Sequence, residues 1–193
     1  MQQQVSLILA STSPYRRELL DRLGLPFETI APGVDETRQP DESPLALVQR
    51  LARAKAQAVA QQRNEGLVIG SDQLAVREND ILGKPGNKAN ARQQLRQASG
   101  KTVTFLTAVC VINAATGEHR EHVDTTIVSF RILSNAEIDD YLNREKPFNC
   151  AGSFKSEGLG ITLFEKIENQ DPTALMGLPL IAVARMLREM RRR

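Results

Sequence analysis

An aspartate closes the apolar run LVIGSD, residues 67–72. A carboxylate in that place either forms a turn or does chemistry, orienting and deprotonating a water or holding a cation. Asp72 is therefore the first residue to be explained. Lys55 is the second: in SPLALVQRLARAKAQAVAQQ it stands four residues from both Leu51 and Val59, on the apolar stripe of a helix. There it either snorkels from the stripe's edge or aims a fixed positive charge at an anion such as phosphate. Glu36, in GVDET, would supply a second carboxylate, although alone it is an ordinary loop acid. Lys84, in ILGKP, lies between a glycine and a proline that rigidify it, but a lysine in a turn is usually just solvated.

The segment ILASTSPYRRELL adds small hydroxyls at Ser11 and Ser13 and a guanidinium at Arg16 or Arg17, just where a helix starts. Together with the unpaired N–H groups of a helix N-terminus these make a socket for an anion; a Ser-Pro helix start is also an ordinary cap. Tyr15, at the second helical position, has no evident core to join. His119 and His122 are oddly spaced on a β segment and point to opposite faces, so no histidine mechanism is available. Cys110 and Cys150 lie far apart, neither in a CxxC, and read as free thiols. No GxxxxGK[ST], GxGxxG or GxSxG occurs, which argues against P-loop, dinucleotide-binding and serine-hydrolase chemistry.

The elements that must position these residues can be read from caps and periodicity. Val5 to Ala10 predicts a buried strand; Ser13 and Pro14 cap a helix that ends at Gly24. PFETIAP predicts a short strand, GVDETRQPDES a polar loop, and Ser43 with Pro44 a second helix reaching about Gln62. LVIGSD predicts a strand ending at Asp72, QLAVRENDILGKP a hairpin around Glu78 to Asp80, and Asn87 to Ala98 a helix closed by Gly100. Two long β segments follow about an Ala-Thr-Gly turn, then a helix opened by the capping box Ser134 and Glu137. AGSFKSEGLGITLFEKIE predicts glycine-punctuated strand and loop, and Leu178 onward a terminal helix. Early alternation of strands and helices with paired strands later predicts an α/β protein built on a mixed β-sheet flanked by helices.

With 193 residues and no evident linker or repeat, a single domain over 1–193 is expected. A net charge of only +2 provides no field for a nucleic-acid polymer or an anionic membrane. No stretch approaches a signal peptide or a membrane span, so a cytoplasmic protein is expected.

Taken in order, LASTSPYRRELL, VDET, ARAKA, GSDQ, LGKP, AGSFKSEG and GLPL resemble the motifs of the Maf family of nucleoside triphosphate pyrophosphatases, from about Leu7 to Leu187. Within it the chain is most similar to the 7-methyl-GTP pyrophosphatase branch at Tyr15, Gln73 and Glu157, where the branch acting on dTTP and UTP has Arg, Thr and Gln. It departs from its own branch in carrying Tyr15 where Trp is frequent. The resemblance implies a Maf/ITPase-like fold of two lobes around a nucleotide cleft, and release of pyrophosphate and a nucleoside monophosphate. It further implies a divalent cation (Mg²⁺ or Mn²⁺), a homodimer and removal of modified nucleotides from the pool. Carried onto this sequence, it makes Asp72, Lys55 and Lys84 catalytic, Ser11, Ser13 and Arg16 substrate-binding, Tyr15, Gln73 and Glu157 specificity-determining, and Glu36 with Asp72 metal ligands. The alternative is a nucleotide-binding regulator, for example of cell division, using the same pocket without turnover.

Overall fold

The computed structural model describes residues 6–78 and 80–191. Among them the strands are β1 (Leu7–Ala10), β2 (Glu28–Ile30), β3 (Leu67–Arg77), β4 (Asp80–Leu82), β5 (Thr102–Asn113), β6 (His119–Phe130) and β7 (Phe164–Glu168). The helices are α1 (Pro14–Asp21), α2 (Pro44–Ala60), α3 (Lys88–Ala98), α4 (Asn135–Glu145) and α5 (Leu180–Arg191). The strands form one sheet in the order β2-β1-β3-β5-β6-β7, with β4 paired to β3. β1 runs parallel to β2 and β3, whereas β3–β4 and β6–β7 are antiparallel. This is the mixed α/β architecture expected.

The caps fall where the residue types place them. Ser13, Ser43, Asn87 and Ser134 each accept a backbone N–H from the first turn of their helix, and Ser134 and Glu137 close a reciprocal capping box. Val5, residue 79 of the expected hairpin and the last two residues, 192–193, lie outside the described residues. Three expectations need correction. β3 does not end at Asp72 but continues to Arg77, because its parallel pairing with β1 stops at Gly70 and its antiparallel pairing with β4 begins at Ala75. In AGSFKSEGLGITL, short 3-10 turns at Ala151–Ser153 and Leu159–Leu163 replace a strand, which forms only from Phe164. The terminal helix starts at Leu180, after Pro179 and the left-handed Gly177.

Two compact units share the chain. The first holds Met1–Gln73, Thr107–Asp124 and Asp171–Arg193. Its core joins Leu7, Leu9, Leu67, Ile69, Val109 and Val111 from the strands to Leu19 and Leu20 of α1 and Val183, Met186 and Leu187 of α5. The second holds Leu74–Leu106 and Thr125–Gln170. There Phe105, Phe130, Phe154 and Phe164 pack edge to face, with ring centroids 4.7–5.7 Å apart, and Arg92 of α3 forks onto Asp139 of α4 at 2.6 and 2.8 Å. Among the described residues no helix is long and apolar enough to cross a membrane.

Candidate active site

Successive strand residues face opposite ways, and β3 uses that alternation at Ser71, Asp72 and Gln73. Ser71 donates from its hydroxyl to the carbonyls of Ala108 (2.8 Å) and Gly177 (3.1 Å). Gln73 donates from Nε2 to Thr107 Oγ1 (3.0 Å) and to the carbonyls of Ala174 (2.9 Å) and Leu175 (3.0 Å). Both side chains thus hold the 174–177 turn. Asp72 is left on the other face, toward α2.

On that face Gly70 brings backbone against backbone. A Cβ there would lie 2.3 Å from the Ala52 carbonyl oxygen and 2.4 Å from the Ala56 nitrogen, so only glycine admits α2 this close. The contact delivers Lys55, the neighbour of Ala56, to Asp72. Lys55 is 5% exposed and Asp72 7% exposed, so the lysine does not snorkel. Its Nζ lies 2.7 Å from Asp72 Oδ1 and 2.6 Å from Glu36 Oε1. Three residues far apart in sequence meet at one ammonium.

Arg16 joins them from α1. Its Nε donates to the Gly177 carbonyl at 2.9 Å, the same oxygen that Ser71 reaches. Burial pulls the guanidinium below its ordinary pKa, and the charges of Asp72 and Glu36 push back. Two cations and two carboxylates therefore share this corner of the first unit. The Ser11 hydroxyl oxygen accepts the Ser13 N–H at 3.1 Å and the Ser13 oxygen accepts the Arg16 N–H at 3.4 Å. Both serines shape the turn with their lone pairs and keep a hydroxyl proton to donate. Tyr15 is half-buried on α1 and Arg17 is exposed.

Two of the residues singled out belong to the second unit. Lys84 is exposed, on a turn tied down at either side: the Gly83 carbonyl accepts from Gln94 (3.0 Å), the Pro85 carbonyl from Asn90 (2.9 Å), and the Gly86 N–H donates to Phe148 (2.9 Å). Glu157 is exposed on a loop anchored by the Tyr141 hydroxyl, which accepts the Lys155 N–H at 3.1 Å, and by Glu145, which accepts the Leu159 N–H at 2.8 Å.

Some residues that build the site gave no signal of their own in the sequence. The Gly177 carbonyl and Ser71 are ordinary types, and only the quoted GLPL and GSDQ motifs hinted that their neighbourhoods mattered. Cys110 and Cys150 form no disulfide; burial pushes the Cys110 thiol up to about 12, with Glu121 adding to the effect. Among the described residues no three or more His, Cys, Asp or Glu side chains cluster as a ready-made metal site.

A family model described as Maf-like protein matches residues 6–190. Among solved structures the chain is similar to "The structure of the Staphylococcus aureus Ham1 protein", at 15% identity and a TM-score of 0.45, over 65% of this chain and 71% of that one. A likeness that distant leaves the site to be read from this chain alone.

Proposed function

We propose that this chain, which belongs to the Maf-like protein family, hydrolyses nucleoside triphosphates between the α- and β-phosphates, with 7-methyl-GTP as preferred substrate. The observation that carries the reading is the buried ammonium of Lys55 held at 2.6 and 2.7 Å between Glu36 and Asp72. A structural ion pair needs one carboxylate. A second, exposed one on the same ammonium suits a site whose charges rearrange when an anion arrives.

In this reading Asp72 orients a water for attack on the α-phosphorus and takes its proton; the new P–O bond forms as the bond to the bridging oxygen breaks. Pyrophosphate leaves with that oxygen and the bonding electrons. Lys55, Arg16 and Lys84 disperse the charge of the phosphates, the largest contribution protein groups make to such reactions. Because two carboxylates already balance Lys55 and Arg16, a triphosphate needs further positive charge. The donor set fits a divalent cation: Glu36 and Asp72 offer oxygens only, and such a cation takes its remaining ligands from phosphates and water. When bound, it would neutralise phosphate charge and make the water a better nucleophile. A homodimer comes with the reading from the resemblance in sequence.

For the base, Tyr15 provides an aromatic face for the cationic ring of N7-methylated guanine, and Glu157 accepts from the N1–H and 2-amino group of guanine. Gln73 spends its Nε2 on Thr107 and the 174–175 carbonyls, so its Oε1 is the atom that would meet a polar edge of the substrate.

Purified protein incubated with Mg²⁺ or Mn²⁺ and 7-methyl-GTP, GTP, ATP, UTP or dTTP should release pyrophosphate and the monophosphate, fastest from 7-methyl-GTP. Orthophosphate with a diphosphate as products, or no turnover of any nucleotide, rejects the activity. A kcat/KM for dTTP equal to that for 7-methyl-GTP rejects only the base preference.

A further inference from the structure

Glu36 is more than half exposed, yet its carboxylate is held on Lys55. What holds it is not regular structure: between Ile30 and Pro44 the chain forms no strand or helix. Side-chain hydrogen bonds tie the stretch down instead. Arg50, on α2, donates from Nε to Glu42 Oε1 (2.7 Å) and from Nη2 to both Glu42 Oε2 (2.9 Å) and the Thr37 carbonyl (3.0 Å). Glu42 in turn gathers the loop: its Oε2 accepts the Gln39 N–H at 3.1 Å and its carbonyl accepts Arg38 Nε at 2.8 Å. On the other side of Glu36, Asp35 Oδ1 accepts the Thr37 N–H at 2.9 Å. The Glu42 side chain is 8% exposed and that of Arg50 29%, and the two parallel hydrogen bonds make this forked pair geometrically specific.

We propose that Arg50 and Glu42 are positioning residues: their forked ion pair, through the Thr37 carbonyl, fixes the 35–42 loop so that Glu36 meets Lys55. Arg50 and Lys55 sit on the same helix, so the loop is referenced to the element that carries the ammonium. Among the described residues, no hydrogen bond or ion pair joins Arg50 or Glu42 to Lys55 or Asp72. Their influence on the reaction runs through Glu36, and the inference rests on the role given to Glu36 above.

The test is a double-mutant cycle with a structural readout. Arg50→Met and, separately, Glu42→Gln are each made in the wild-type and Glu36→Gln backgrounds, and kcat/KM for 7-methyl-GTP is measured with the amide hydrogen exchange of residues 35–42. In the wild-type background each substitution should lower kcat/KM about tenfold. It should lower it no further once Glu36 is already Gln, and exchange should quicken at 35–42 but not in β3 or the rest of α2. An equal loss in both backgrounds would show a general structural role and overturn the proposal, as would unchanged activity with faster exchange. If Glu36→Gln alone is as active as wild type, the role given to Glu36 fails. The clamp is then judged by exchange, and unchanged protection at 35–42 in both Arg50→Met and Glu42→Gln overturns it.

Discussion

Asp72 and Lys55 are each other's counter-charge, so neither can be altered without consequences for its partner. Asp72→Asn keeps the shape and leaves Lys55 paired with Glu36. It should fold normally and lose more than about a hundredfold in kcat; near-normal turnover at saturating metal would remove Asp72 from the chemistry. Lys55→Met is different. A lysine on an apolar stripe suggests that Met would stabilise, but the ammonium neutralises a carboxylate that is 7% exposed. Removing it strands that charge, at a cost of about 3 kcal/mol and a fall in Tm of roughly 6–12 °C. Lys55→Met/Asp72→Asn should recover much of the loss, and a single variant that melts no lower than wild type would contradict this account. Tyr15→Ala should narrow the kcat/KM gap between 7-methyl-GTP and GTP, a cation–π contribution of roughly 0.5–2 kcal/mol. Glu157→Gln should narrow the gap between guanine and other bases. A common slowing of all nucleotides by either change would point to packing instead.

At the scale of elements, the α2–β3 contact at Gly70 decides where Lys55 can reach. Gly70→Ala would press a methyl into the backbone at Ala52 and Ala56, with gaps of 2.3 and 2.4 Å where van der Waals contact needs over 3 Å. Helix or strand must shift, which should cost about 2–3 kcal/mol and lower kcat along with Tm. A Gly70→Ala protein with wild-type Tm and activity would mean that α2 can slide freely at this point. Arg50 acts at the same scale, since one guanidinium ties a loop to this helix.

For the molecule as a whole, acid stability has a legible window. Glu42 is held at about 2 by its hydrogen bond to Arg50, and Glu137 at about 2 by the Ser134 N–H of the α4 capping box; the first lies in one unit and the second in the other. A carboxyl whose folded pKa is depressed adds stability above its unfolded pKa and loses it as pH falls through the folded one. The Tm should therefore hold from pH 7 to about 5 and fall between about 4.5 and 2. Glu42→Gln or Glu137→Gln should start lower at neutral pH and show a shallower fall. Identical pH profiles for wild type and both variants would show that these carboxylates are not what acid attacks. Salt should reduce the Glu42 share, because screening acts on pairs near the surface.

Much of this is legible in the sequence. Serine or asparagine caps, proline at the first helical turn and the Ser134–Glu137 box are local devices, so residue types alone located all four helix starts that carry them. The 3.6-residue period placed Lys55 inward on α2, and apolar runs bounded by turn residues revealed most of the sheet strands. What stayed hidden depends on non-local partners. β3 runs past Asp72 because β4 pairs with it beyond, and AGSFKSEGLGITL curls into 3-10 turns because Tyr141 and Glu145 hold its backbone. The meeting of Glu36, Lys55 and Asp72 on one ammonium required a helix packed backbone to backbone on a strand at Gly70. Period and propensity report the neighbours of a residue along the chain; which distant group shares its charge is decided by close packing, and only the tertiary structure contains that.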